Sequence, residues 1–369
     1  MGRIILVRPL LPPPPQLTAR LQPQYLHWQV GRYRERLTSG PGGLGRGKVW
    51  VVDKEGEQHN LILTQTYDSL IPLYGFLDML RYAAVGTGST PPDPSQTGLA
   101  NEVRRTLNLA TGYSYYYIPT RIADGVADIL AAREFTEAEV GGLNLTEWGF
   151  GPRAASGTGS NPRLAVRELF RDGSGNPIVL TLATDQRLRL LYKMRLTVGP
   201  VTPQAVSINI SGIGVRTGKL VMRKYIPTSA DPFTRWREPQ SSGPSYYADF
   251  GDIATLDGFA RQTAFGVTGG HIIHVVSGTN PSTYYNNTTA FTSNLYKAIA
   301  YQSYVANSRQ RKSQPVVWLS SEANTTIYGI GIGYNWYPSP LLIFDPGQEF
   351  AKSNLYKLQI DEWTLTWGP

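Results

Sequence analysis

The chain has no cysteine, which excludes disulfide frameworks and thiolate zinc sites and leaves the fold to its core and its partners. Charge is also sparse. Only 17% of residues are Asp, Glu, Lys or Arg where about 25% is usual, so disorder through self-repulsion is not expected. No window approaches the ~20 uninterrupted apolar residues of a membrane-spanning helix. The run Ile4 to Val7 is shorter than the ~7 to 15 residues of a signal-peptide core. The expectation is a protein made and assembled in the cytoplasm, without a membrane partner.

What is present points to strands. Glycine (38), proline (27) and tyrosine (22) are plentiful, a mixture that favours short strands joined by turns over long helices. With 369 residues, two domains or one large domain with an extension are expected.

The formal charge of +8 is unevenly placed. Residues 1–48 hold Arg3, Arg8, Arg20, Arg32, Arg34, Arg36, Arg46 and Lys48 against Glu35 alone, so the remaining chain is close to neutral. The same stretch carries Pro12 to Pro15 and the glycines 42, 43, 45 and 47. Consecutive prolines favour polyproline II, and so residues 1–48 read as an extended Pro/Arg-rich arm, with Arg20, Tyr25, Trp28, Arg32, Tyr33 and Arg34 as its assembly contacts. Its aromatic residues need a surface to lie on, and a neighbouring chain is the expected one.

From Val49 the pattern turns to period two. Leu188, Leu190, Tyr192, Met194, Leu196 and Val198 share one face of an extended chain, with Arg189, Lys193, Arg195 and Thr197 on the other, the alternation of a half-buried antiparallel strand. Val206, Ile208 and Ile210 repeat it, and Leu164, Val166, Glu168 and Phe170 do so less cleanly. Near the end, Tyr356, Leu358 and Ile360 have one parity and Trp363, Leu365 and Trp367 the other, which predicts a bulge at Asp361 and Glu362. Helix is expected only after Asp68 as N-cap, through Leu80 toward Gly86 with Pro72 in its first turn, and briefly over 95–105.

An internal echo organises the chain. Asn144-Leu-Thr-Glu-Trp-Gly-Phe-Gly151 recurs as Asn324-Thr-Thr-Ile-Tyr-Gly-Ile-Gly331. Each copy leads to a Phe near an Asp and ends in a strand closing on Gly-Pro, at Pro200 and Pro369. The prediction is an all-β chain of two tandem antiparallel β-sandwich-like domains, 49–204 and 205–369, with short connecting helices and the arm 1–48.

The segment Val85-Gly-Thr-Gly-Ser-Thr-Pro-Pro-Asp-Pro-Ser-Gln-Thr-Gly-Leu-Ala-Asn-Glu-Val103 resembles a recurring signature of tailed-bacteriophage virion proteins. In those families a Val-Gly-Thr-Gly-Thr-Thr-Pro-Pro loop leads to Thr-x-Leu-x-Asn-Glu and later to Asn-x-Thr-Glu-x-Gly. Here the later pieces are Asn144, Thr146, Glu147 and Gly149, followed by Arg167 to Phe170. The ending, with Phe344-Asp-Pro346, Lys352 and a Trp-containing last strand, is similar to the close of many phage fibre and baseplate sequences. The resemblance covers roughly residues 60–200 and the last 45 or so. It implies a structural subunit of a virion, in the tail, baseplate or fibre, with a receptor-binding fibre component and a capsid decoration or neck protein as alternatives. Within the loop, Gly86 and Gly88 are expected to supply backbone angles closed to other residues.

No cofactor or metal is expected. The Gly-x-Gly pairs at 86–88 and 212–214 lack the third glycine and the helix of a dinucleotide site. His271 and His274 fall on opposite faces of a strand, with no further ligand at suitable spacing. Glu134, Glu137, Glu139, Glu147 and Glu168 are the carboxylates available for glycan cleavage, but some such cluster is expected by chance among 27 acidic residues, and no enzymatic activity is expected. Tyr246, Tyr247, Tyr284, Tyr285, Tyr334, Trp336 and Tyr337, set among Gly, Pro, Ser and Asn, are the candidate surface contacts. Expected partners are further copies of the chain and other virion proteins, with host glycan as an additional one; nucleic acid is not expected.

Overall fold

The computed structural model describes residues 12, 15–40, 43–113, 118–123, 125–154, 163–210, 212–222, 256, 259–260, 271–277, 295–334 and 337–369. It is an all-β chain of two compact units. The N-terminal unit comprises Arg20–Ile122, Ala127–Leu196 and Gly368–Pro369, and the C-terminal unit Met1–Ala19, Ala123–Val126 and Thr197–Trp367. The chain passes from one unit to the other after Leu196, inside a strand, where the sequence pattern set the division at 204/205.

The N-terminal unit opens with β1 (Gln16–Gly40) and β2 (Gly43–Gln58), an antiparallel hairpin paired from Leu26 opposite Gln58 to Gly40 opposite Gly43, with a register shift between Val30 and Gly31. This is the largest correction to the sequence reading, because residues 16–40 and 43–48 are paired strand and not an extended arm. Then come β3 (Leu61–Ile62), a π-helical turn over Thr66–Leu70, α1 (Ile71–Tyr74) and a 3-10 turn over Asp78–Leu80. The helical segment starts before Asp68, with Gln65 as its cap, and stops early because β4 (Tyr82–Gly86) follows at once. The helix expected over 95–105 is absent. Its place holds a loop and β5 (Glu102–Thr106), since Glu102, Arg104, Arg105 and Thr106 pair with β4.

The unit continues through β6 (Ile118–Ala123), β7 (Val126–Phe135), α2 (Glu137–Val140), β8 (Asn144–Leu145), β9 (Glu147–Gly151), β10 (Val166–Leu169), β11 (Leu180–Thr181) and β12 (Arg187–Gly199). One sheet runs β3-β10-β9-β4-β5, and another carries β1-β12-β7-β6 with β2 on β1. All the even-numbered residues of β12 from Leu188 to Val198 are buried, as period two requires. Between the sheets, Phe150 stacks on Tyr192 at 5.3 Å and Trp148 tilts against the same ring at 5.8 Å. Burial pushes the Tyr192 phenol well above its ordinary pKa, with its hydroxyl bonded to Asn60.

In the C-terminal unit are β13 (Gln204–Ile210), β14 (Gly214–Val221), β15 (His271–Val276), β16 (Tyr296–Ala298), β17 (Gln310–Lys312) and β18 (Val316–Trp318). They are followed by β19 (Thr326–Ile327), β20 (Gly329–Tyr334), β21 (Tyr337–Phe344), β22 (Phe350–Ala351), β23 (Leu358–Ile360) and β24 (Thr364–Gly368). The main sheet runs β16-β15-β20-β21-β14-β13-β23-β18, with Val221, Val276 and Leu341 forming a buried cluster. The parity change near Asp361 is not a bulge. β23 belongs to this sheet while β24 pairs with β17 in a different one, so the chain switches sheets there.

The two units share a strand order. The run β14-β21-β20-β15-β16 repeats β3-β10-β9-β4-β5, and the pair β19 and β22 repeats β8 and β11. Gly149 and Gly329 occupy matching positions. Each lies in the middle strand of three, and a Cβ on either would meet a carbonyl of the following strand, that of Val166 at 2.6 Å or of Leu342 at 2.5 Å.

Candidate functional site

Two constructions in the N-terminal unit gather the residues that the sequence singled out. The first is centred on Glu147, at the start of β9, and Arg167 in β10, both side chains wholly buried. The glutamate Oε1 accepts from the backbone N–H of Gly88 at 3.0 Å and of Asn101 at 2.8 Å, and Oε2 accepts from Ala100 N–H at 3.0 Å. Arg167 Nη2 donates to Oε2 at 2.8 Å and to the Thr90 carbonyl at 2.9 Å, and Nη1 donates to Gln96. Thr146 Oγ1 donates to the Gly88 carbonyl at 2.7 Å. Gly88, Thr90, Gln96, Ala100 and Asn101 of the loop thus meet Thr146, Glu147 and Arg167 in one lock.

The lock explains the glycines differently from the expectation. Neither Gly86 nor Gly88 has a positive φ. A Cβ on either would collide with the Glu147 carboxylate, so both are there to let the loop close on that group. Beside the lock, Ser95–Ala100 and Glu102–Arg105 border an open groove of about 910 Å³.

The second construction is the face of the hairpin where β1 and β2 meet β12 and β7. Tyr33 and Trp50 pair across the strands, with ring centroids 5.5 Å apart. Arg189 lies over Trp50 at 3.9 Å, and Arg187 lies over Tyr33 at 5.1 Å. Glu134 closes the cluster, accepting from Arg187 at 2.9 Å and Arg189 at 2.7 Å, with the Tyr33 hydroxyl at 3.1 Å. Arg32 pairs with Asp53 at 2.9 Å and with Asp185. The hydrogen bond from Gln186 and the adjacent Arg32 hold the Asp53 carboxyl below the usual carboxylate range.

Four of the arm contacts, Tyr25, Trp28, Arg32 and Tyr33, are accordingly engaged within the chain. Trp28 is buried edge-on against Phe170 at 6.4 Å, and Tyr25 lies under Lys193 at 4.9 Å. Arg20 and Arg34 are exposed. Of the candidate surface contacts, Tyr246, Tyr247, Tyr284, Tyr285 and Trp336 lie outside the described residues, and Tyr334 and Tyr337 are backbone partners where β20 turns into β21.

Of the five carboxylates, Glu134 and Glu137 share a partner and the other three are bound elsewhere. Glu147 is in the lock, Glu134 and Glu137 bind Arg187, Glu139 closes a capping box with Thr136, and Glu168 pairs with Arg171. Among the described residues no group of three or more His, Asp or Glu is placed to hold a metal ion, and no helix is long and apolar enough to cross a membrane.

No family model, curated protein or solved structure matches the chain. Sequence reasoning named Glu147 and Arg167 separately but not as a pair. The only available signal was that both stand in signature segments, 20 residues apart.

Proposed function

We propose that the chain is a structural subunit of a tailed-phage particle, in the tail, baseplate or fibre, assembling with copies of itself and with other virion proteins. The observation that carries this reading is the convergence of the phage-like signature on the buried Glu147–Arg167 lock. Residues shared with virion proteins serve there to hold a loop rigid against a β-module. A carboxylate saturated by three backbone N–H groups and a guanidinium is an architectural group, since no lone pair or proton is left for a substrate.

Immunogold labelling of purified particles of a phage that encodes the chain tests the reading. Label on the tail or its tip is the expected result, and absence of the chain from purified particles overturns it. Label over the head favours the decoration or neck alternative. A receptor-binding role has one feature in its favour, the open groove beside the lock, and binding on a glycan array that is lost on filling the groove by Gly98→Trp distinguishes it.

A further inference from the structure

We infer that the outer edge of β2 is a self-pairing surface, on which a second copy of the chain lays its own β2 antiparallel across a two-fold axis at Val51. It rests on the assembly with further copies proposed above and gives that assembly a surface. Among the described strands β2 pairs with β1 alone, so the backbone N–H and C=O groups along its other edge face no strand. An edge of this kind is a template for another chain unless it is blunted. Val49, Trp50, Val51 and Val52 form its middle, with Val52 37% exposed. A bulge is one means of blunting, and β2 has one. Lys54 is opposite Val30 and Val52 opposite Gly31, which makes Asp53 the extra residue. Its carboxylate is held by Arg32 and Gln186 of the same chain, so it is not a bare charge guarding the edge.

Charge placement selects the partner. Lys48, Trp50, Val52 and Glu55 stand opposite Glu35, Tyr33, Gly31 and Gln29 and so share one face of the ribbon, while Val49, Val51 and Lys54 stand opposite Arg34, Arg32 and Val30 and share the other. One face of the edge therefore carries a cation toward one end and a carboxylate toward the other, both exposed. An antiparallel second copy sets Lys48 against the partner's Glu55, Val49 against the partner's Lys54, Trp50 against the partner's Val52 and Val51 against its own counterpart. All of these pairs join residues of one face, because the bulge at Asp53 recurs at the symmetric place in each copy. The result is an apolar centre between charged ends, repeated by the two-fold axis as an isologous contact requires. Parallel pairing in register would instead bring Lys48 beside Lys48 and Glu55 beside Glu55. The Glu55 carboxylate is already oriented, since its Oε2 accepts from His27 at 3.0 Å and Gln29 at 3.2 Å, and it is still 55% exposed.

Sedimentation equilibrium of the full chain at micromolar concentrations tests the inference, because a single pair of strands makes a small and reversible interface. A monomer–dimer equilibrium is expected. Lys48→Glu and Glu55→Lys each place like charges at both ends of the pairing, and each alone should weaken dimerisation by about tenfold or more. Mixing the two variants should restore it, since one chain then presents two carboxylates and the other two cations. Lys219→Glu, at an exposed cation of the C-terminal unit, should change little, and melting temperature reports whether each variant is folded. A monomeric parent, a dimer that withstands both reversals, or a mixture that stays monomeric would each overturn the surface. None of these results bears on particle labelling, which tests the virion reading by itself.

Discussion

Arg167 sits diagonally across from Glu147 on the neighbouring strand, opposite Gly149 in register, and their charged groups approach to 2.8 Å with no exposure to solvent. Burying two charges is costly, and removing one partner leaves the other uncompensated, typically at about 3 to 5 kcal/mol. Glu147→Ala and Arg167→Ala should each destabilise the N-terminal unit by about that amount in urea titrations. Glu147→Leu with Arg167→Met should cost clearly less than the sum of the single changes. Additive losses would show that the two groups act separately.

Matching glycines predict matching damage. Gly149→Ala and Gly329→Ala each drive a methyl group into a carbonyl of the adjacent strand, so each should lose about 1 to 3 kcal/mol or more as the strands separate. Gly173→Ala, which meets nothing within 4 Å, should fall within about 0.5 kcal/mol of the parent. Chemical denaturation of the three variants checks the order.

A folded hairpin and a free arm respond differently to truncation. Trp28→Ala should cost about 3 to 5 kcal/mol, as for a large buried aromatic, whereas a tail would tolerate it. Deleting residues 1–40 should leave β12 without β1 and give an unfolded or aggregating product. Retention of the parental melting temperature by either variant would contradict the packing described.

Acid should act through Asp53. Its folded-state pKa is lowered, first by the Gln186 hydrogen bond and then by Arg32, so its contribution to stability is complete above the ordinary value of 3.8 and is lost as pH falls through the lower folded value. The stability gap between the parent and Asp53→Asn should therefore be largest near neutrality and shrink below about pH 4. A gap that stays constant down to pH 2 would assign the effect to packing alone.

The sequence by itself determined the class of fold. Alternation from Leu188 to Val198 identifies a strand because successive side chains on extended backbone point to opposite faces, a local rule that needs no knowledge of the rest of the chain. The Asn-x-Thr-x-aromatic-Gly echo survives as equivalent strands because each copy solves the same packing problem at Gly149 and Gly329. Alternation was also present in Leu26, Trp28 and Val30, but prolines, glycines and a charge of one sign masked it. Only the tertiary structure decided that those residues bury within their own unit, that Glu147 meets Arg167, and that β23 and β24 enter different sheets. These are long-range pairings, in which which surface covers an aromatic ring, or which cation neutralises a carboxylate, depends on segments far apart in the chain. Local periodicity carries no information about that choice.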